Sequence, residues 1–307
     1  MNKVLDRLKN VDLNSIQDTV DKKIKALLND KDMQEYLKSH NFSAEDVKND
    51  PYIFGDCLAS IKEYKKHINN LNCFNSKFDG YILGVEKDGC NYRQIHELTT
   101  QMKKYLDETK FLTNYIVNDA VNLYSLSLKD LVIENETSSY LKLYDFLVKA
   151  LSKIESLDKG LYIMGDLGIG KTYLMVAFLN DLARMNYQVA FTKTNTLMSR
   201  LKMMDNFDER NIVVERLKHA RILVLDDLGS EMNTAYNKDD ILLPILDYRM
   251  ENKLLTFFTS NYDLEALDVL YSDYGKKYND PVSAKRLTER INTLAYIYIL
   301  ESHNKRH

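Results

Sequence analysis

The chain has 307 residues, with 42 basic against 45 acidic side chains and a formal net charge of −3, so it carries no global electrostatic footprint for nucleic acid or an anionic membrane. That length exceeds the usual size of one domain and predicts two, each able to bury its own core. Three cysteines (Cys57, Cys73, Cys90), no apolar leader and no run of about 18 apolar residues lead us to expect a reduced, cytoplasmic protein without membrane attachment.

From Val4 to about Lys48 the apolar residues (Val4, Leu5, Leu8, Val11, Leu13, Ile16, Val20, Ile24, Leu27, Leu28) recur at three- and four-residue steps, which predicts helices. Phe78 to Val85 is β-prone, and Lys87-Asp88-Gly89 before Cys90 predicts a hairpin turn. Tyr92 to Leu126 reads as a further helical stretch, and the polar run from Glu134 to Ser139 as linker. These readings give a mostly helical N-terminal domain with a small β element over residues 1–105, a linker region over 106–137, and a second domain over 138–307.

After Ser138 the pattern alternates. Strands are predicted at Leu161–Met164, Gln188–Thr192, Ile222–Leu225, Thr256–Thr259 and Ile297–Leu300, separated by amphipathic helices such as Thr172–Met185 and Asp239–Asn252. Short apolar strands alternating with helices imply an α/β fold with a central parallel sheet covered on both faces.

Three of the ten glycines fall in one short window, Gly165-Asp166-Leu167-Gly168-Ile169-Gly170-Lys171-Thr172. This satisfies the phosphate-loop pattern G-x-x-x-x-G-K-[ST], with a predicted strand before it and a helix after it. The glycines let backbone N–H groups converge on phosphate oxygens. Lys171 is expected to bridge the β- and γ-phosphates of ATP, Thr172 to ligate Mg2+, and the helix N-terminus to add a favourable dipole. Downstream, four apolar residues run into Asp226-Asp227, a Walker B pattern. Asp226 is expected to hold Mg2+ and Asp227 to polarise the attacking water, with strand alternation sending the two acids to opposite sides.

Two further groups are candidates for hydrolysis. Asn261, at the tip of the strand ending Thr259-Ser260-Asn261, is placed to orient water against the γ-phosphate; the alternative is that it or Asp263 caps the next helix. Arg286 and Arg290 lie four apart on a predicted helix, either as arginines offered to a neighbouring subunit's γ-phosphate or as a solvated, salt-bridged face.

The phosphate loop, the run Leu225 to Glu231, Pro244 to Arg249, Thr256 to Tyr262 and Arg286-Leu287-Thr288-Glu289-Arg290, in this order, resemble the AAA+ replicative helicase loaders of bacteria, most closely the primosomal loaders of Gram-positive bacteria. The resemblance is strong from about residue 138 onward. It implies a P-loop AAA+ ATPase that places the replicative hexameric helicase on single-stranded DNA at initiation or restart, with the N-terminal domain contacting the helicase and a homo-oligomer forming on helicase or DNA. It also makes Arg290 the trans-acting finger with Arg286 beside it, and leaves only a loose match, Arg306, for a second sensor. DNA binding in the family directs attention to Lys193, Arg200 and Lys202, which could track phosphates or form an ordinary helix surface.

Several relatives carry a zinc site in the N-terminal domain. Here only Cys73, Cys90 and His67 fall at comparable places, Tyr81 stands where a ligand histidine is expected, and zinc is not favoured because a structural site wants four ligands. Two other functions remain open: a transposition-helper ATPase of the same clade, whose likeness would stop at the C-terminal part, and a nucleotide-switched adaptor with little turnover.

Overall fold

The computed structural model of the protein describes residues 13–67, 80–273 and 279–305, with the side chains of 13–16 and 67 left aside. Val4, Leu5, Leu8, Val11, Cys73, Phe78 and Arg306 lie outside the described residues, as do the side chains of Leu13, Ile16 and His67. The chain divides into two compact units, Met1–Glu108 and Thr109–His307.

In the first unit the helical periodicity resolves into α1 (Leu13–Asn29), α2 (Lys31–Ser39), α3 (Ala44–Asn49) and α4 (Pro51–His67). Side chains set these boundaries. Asp30 accepts hydrogen bonds from the N–H groups of Asp32 and Met33 to start α2, and Ser43 forms a capping box with Asp46 to start α3. A hairpin of β1 (Tyr81–Asp88) and β2 (Asn91–Leu98) follows, turning at Gly89 with φ +62°. Met33, Tyr36, Phe54, Cys57 and Val85 form the core of this unit.

The segment read as helical from Tyr92 to Leu126 is corrected. Its first part is β2, paired residue for residue with β1, and only α5 (Thr100–Thr109) is α-helical. Its later part carries β3 (Tyr115–Asn118), which joins the sheet of the second unit beside the strand at Val189–Lys193. Helical spacing of apolar residues yields here to backbone pairing, within a hairpin for β2 and at long sequence separation for β3. The segment 106–137 thus contributes an edge strand, and Thr137, from the polar run, caps the next helix by accepting from Tyr140 N–H at 3.2 Å.

The second unit continues through α6 (Ser138–Lys153), β4 (Gly160–Met164), α7 (Lys171–Arg184), β5 (Val189–Lys193), α8 (Thr194–Met203), α9 (Phe207–His219) and β6 (Ile222–Leu228). A π-helical segment, Tyr236–Leu242, leads into α10 (Leu243–Glu251), followed by β7 (Leu255–Ser260), α11 (Leu264–Ser272), α12 (Pro281–Leu294) and β8 (Ala295–Ile299). The sheet order is β3-β5-β6-β7-β4-β8, with every pair parallel. The last strand begins two residues before the predicted Ile297, because Ala295 already pairs with Gly160.

Alternation along the strands builds two cores. Leu161, Ile163, Val189, Phe191, Ile222, Val224 and Phe257 face α6 and α7, whereas Tyr162, Ala190, Leu223, Leu225 and Phe258 face α8, α9, α10 and α12. Where α10 meets the end of α9 and the start of β7 lies a fully buried arginine, the last residue of the run Pro244 to Arg249. Arg249 donates to the carbonyls of Leu217 (2.9 Å), Lys218 (3.1 Å), Ala220 (2.6 Å) and Leu255 (2.6 Å) and to Thr256 Oγ1 (2.8 Å). It closes the C-terminus of α9, where the last carbonyls have no partner within the helix and a cation is favoured by the dipole. Burial pushes its pKa down to about 9, so it stays charged at neutral pH.

Replacing Arg249 by methionine keeps the bulk and strands those carbonyls. We expect a loss of about 2–5 kcal/mol, read as a lower denaturant midpoint; an unchanged midpoint would show that the carbonyls find other donors.

Candidate functional site

Residues 165–170 carry the chain from the end of β4 to the first turn of α7. Two of these positions need glycine: Gly168 has φ +81° and Gly170 φ +96°, a region that costs any side chain energy. The loop forms one wall of an open cavity of about 710 Å³, lined also by Asp119, Asn122, Val132, Tyr140, Lys193, Asp226, Asp227, Thr259, Asn261 and Lys305. Leu167, Gly168, Ile169, Gly170, Lys171 and Thr172 all line it, while Gly165 and Asp166 offer their carbonyls to Lys171.

The Lys171 ammonium is 8% exposed as a residue and donates to Gly165 O (2.6 Å), Asp166 O (2.8 Å) and Asn261 Oδ1 (2.9 Å). The other end of the Asn261 amide donates to Asp227 Oδ1 at 3.1 Å. Asn261 therefore connects the loop lysine to the second acid, and α11 is capped instead by Asp263, which accepts from Ala266 N–H.

The acid pair departs from simple alternation. Leu225 pairs with Phe258 and Leu228 with Ser260, so β6 spends three steps where β7 spends two. The extra residue is a β-bulge, and Asp227 takes a left-handed conformation, φ +57°. As a result both carboxylates line the same cavity, and the expected division to opposite sides is corrected. Asp226 is 1% exposed and accepts from Thr172 Oγ1 at 3.0 Å and from Thr259 Oγ1 at 2.6 Å. Burial pushes its pKa up; the hydrogen bonds from Thr259 and Thr172 and the charge of Lys193 oppose the rise, and Asp227 adds to it.

Thr172 and Asp226 put two hard oxygen donors side by side, a set that fits Mg2+. Among the described residues no group of three or more His, Cys, Asp and Glu side chains could hold a metal ion by itself. Cys90 is exposed, and Cys73 and the His67 side chain belong to the undescribed part.

The remaining predicted residues are dispersed. Lys193 pairs in register with Asp226 and lines the cavity. Arg200 turns back to Asp119, 3.0 Å away, with its Nε and Nη2 atoms buried and lacking hydrogen-bond partners, and Lys202 is exposed on α8. Arg286 and Arg290 lie on α12 outside the cavity; Arg286 is exposed, and Arg290 pairs with Asp247 at 2.5 Å.

Three contributors escaped sequence reading. Asp119 comes from the end of β3, accepting from Thr192 Oγ1 (2.5 Å) and Lys193 N–H (3.3 Å). Lys305 donates its N–H to Gly168 O at 2.9 Å, lies 3.7 Å over the Tyr140 ring and pairs with Glu136. Thr259 bonds to both acids. Only Thr259 had a signal, its place at the end of the predicted strand Thr256–Thr259.

The model of the IstB-like ATP binding protein family matches residues 134–292, more than half of the chain. The chain is 28% identical over 302 residues to the replicative helicase loader DnaI of Bacillus subtilis, covering 92% of this chain and 91% of that protein. It is 29% identical over 122 residues to an ATP-binding protein of an insertion sequence in Mycobacterium tuberculosis, covering 39% of this chain and 48% of that one. Among solved structures, a crystal structure of DnaI superposes with a TM-score of 0.51 at 34% identity, covering 60% of this chain and 93% of that one. A candidate primosome component from Streptococcus pyogenes serotype M3 gives 0.52 at 27% identity, covering 64% and 98%. The second unit has the P-loop AAA+ fold expected of it.

A buried carboxylate with a raised pKa costs the empty protein stability. Below its unfolded pKa the group imposes no cost; the loss builds up as pH rises above that value and is complete once pH has passed through the folded value. Asp226→Asn should therefore raise the Tm of nucleotide-free protein at pH 7, with the gap closing on acidification; a lower Tm at pH 7 would contradict this.

Proposed function

The chain belongs to the family of IstB-like ATP binding proteins, and from that premise we propose that it is an ATPase that loads a replicative hexameric DNA helicase onto single-stranded DNA during initiation or restart of replication. The observation that carries this reading is the extent of its likeness to the Bacillus loader, which runs through the N-terminal unit as well as the ATPase unit. The likeness to the insertion-sequence protein covers 122 residues only, which weighs against a transposition helper. In this reading the first unit engages the helicase, the second binds nucleotide, and the protein works in the cytoplasm. Among the described residues no helix is long and apolar enough to cross a membrane.

ATP bound with Mg2+ supplies the phosphoanhydride to be cleaved and charge neutralisation at its phosphates. Backbone N–H groups of the loop, with the dipole of α7, cradle the phosphates. Thr172 and Asp226 would hold the metal. Asp227, oriented by Asn261, polarises the water. An ammonium has three N–H groups, and Lys171 already places its nitrogen against three acceptors. Turning toward a phosphate loosens one of these contacts, and where that is the contact with Asn261 the hold on Asp227 changes with the occupancy of the loop. Arg290, with Arg286 beside it, acts on the γ-phosphate of a neighbouring copy after leaving Asp247. DNA contact falls to Lys193, Arg200 and Lys202, with Arg200 held at rest by Asp119.

The test is retention of the cognate replicative helicase by the tagged full-length chain, with ATP turnover measured in wild type and Asp227→Asn. We expect the helicase to be retained and the variant's turnover to fall by about 100-fold or more. Retention of a transposase without helicase would overturn the loader reading, and equal turnover in the two proteins would remove Asp227 from its role.

A further inference from the structure

The bulge in β6 leaves Asp226 and Asp227 facing one residue of β7 in the space between the Leu225–Phe258 and Leu228–Ser260 pairs, and that residue is Thr259. Its hydroxyl is fully committed. The O–H donates to Asp226 Oδ1 at 2.6 Å, and the oxygen accepts the Asp227 N–H at 2.9 Å. The side chain is buried, so water is poorly placed to take over either bond. A left-handed aspartate costs on the order of 1–3 kcal/mol and persists only where its surroundings fix it. Here the Asp227 carbonyl accepts from Thr194 Oγ1 (3.0 Å) and Ser230 N–H (3.1 Å), but its N–H relies on Thr259.

We propose that Thr259 is the positioning residue for the acid pair, one hydroxyl setting both the rotamer of the metal-holding Asp226 and the backbone of the water-polarising Asp227. This rests on the ATPase reading above. Thr259 touches neither nucleotide nor water in this account and acts through the two aspartates. A hydroxyl that donates to Asp226 leaves Asp226 able to present its other oxygen to the metal, while a side chain without one frees the carboxylate to rotate. Groups behind a metal ligand typically govern 10- to 100-fold in metal affinity or activity.

The test compares Thr259→Val, nearly isosteric without the hydroxyl, Thr259→Ala, smaller and without it, and Thr259→Ser, which restores it. Two quantities are read for each full-length protein: affinity for ADP without metal, and the factor by which Mg2+ tightens ATP binding. Steady-state turnover is measured alongside. We expect Thr259→Val and Thr259→Ala to keep metal-free ADP affinity within about threefold while losing about 10- to 100-fold of the Mg2+ enhancement and of turnover, with Thr259→Ser close to wild type in all three. Undiminished Mg2+ enhancement in either variant lacking the hydroxyl would overturn the proposal. So would a Thr259→Ser variant as impaired as Thr259→Val, which would assign the effect to methyl packing. If the wild type binds Mg2+-ATP without turning it over, the ATPase reading fails, and the binding comparison still decides the role of Thr259.

Discussion

One extra residue in β6 governs the geometry of the cavity. A regular strand would have sent Asp226 and Asp227 to opposite faces of the sheet, one of them into an apolar core where an ionised carboxylate is costly. The bulge turns both toward the end of the sheet where the loop between β4 and α7 lies. Its cost, a left-handed aspartate and a broken ladder, is offset by side chains from neighbouring strands: Thr259 on β7, Thr194 at the start of α8 and Asn261 beyond β7. The arrangement of the acid pair is thus a property of the sheet, with β5, β6 and β7 each supplying part of it.

The scaffold keeps those strands in place through buried polar connectors as well as apolar layers. Arg249 fastens the end of α9 to the start of β7, so the helix preceding the acid-bearing strand is tied to the strand that supports the acids. On the opposite flank, the chain beyond β8 returns to the phosphate loop, where Lys305 meets Gly168, Tyr140 and Glu136. The cavity is therefore walled by segments from residue 119 to residue 305, which explains why the phosphate-loop motif described only one wall of it.

The phosphate loop, five of the six strands of the large sheet, and the first strand and turn of the β-hairpin were legible because each has a local signature: glycine spacing, a short apolar run, or a turn residue; β2, read as helical, was not. β3 was not, since Tyr115–Asn118 is too short to outweigh the helical spacing around it and becomes a strand only by finding β5. Asp119 was hidden for the same reason. Arg249 entered the sequence reading only as the end of the run Pro244 to Arg249, and nothing local tells that five acceptors converge on it. The bulge was also silent, because an Asp-Asp step looks the same in a regular strand and in a kinked one. Arg200 shows how far such pairing reaches: its guanidinium is bonded to an aspartate 81 positions earlier. Local pattern located the chemistry, and long-range pairing decided its geometry.

Everything rests on the cavity taking a nucleotide through its loop. The most direct measurement is calorimetric titration of ATP, with and without Mg2+, into wild type and Lys171→Ala. One site per chain, tightened by Mg2+ in the wild type and lost or weakened by at least about 100-fold in a folded variant, is the predicted result. Binding unaffected by loss of Lys171, or no binding to the folded wild type, would contradict the account.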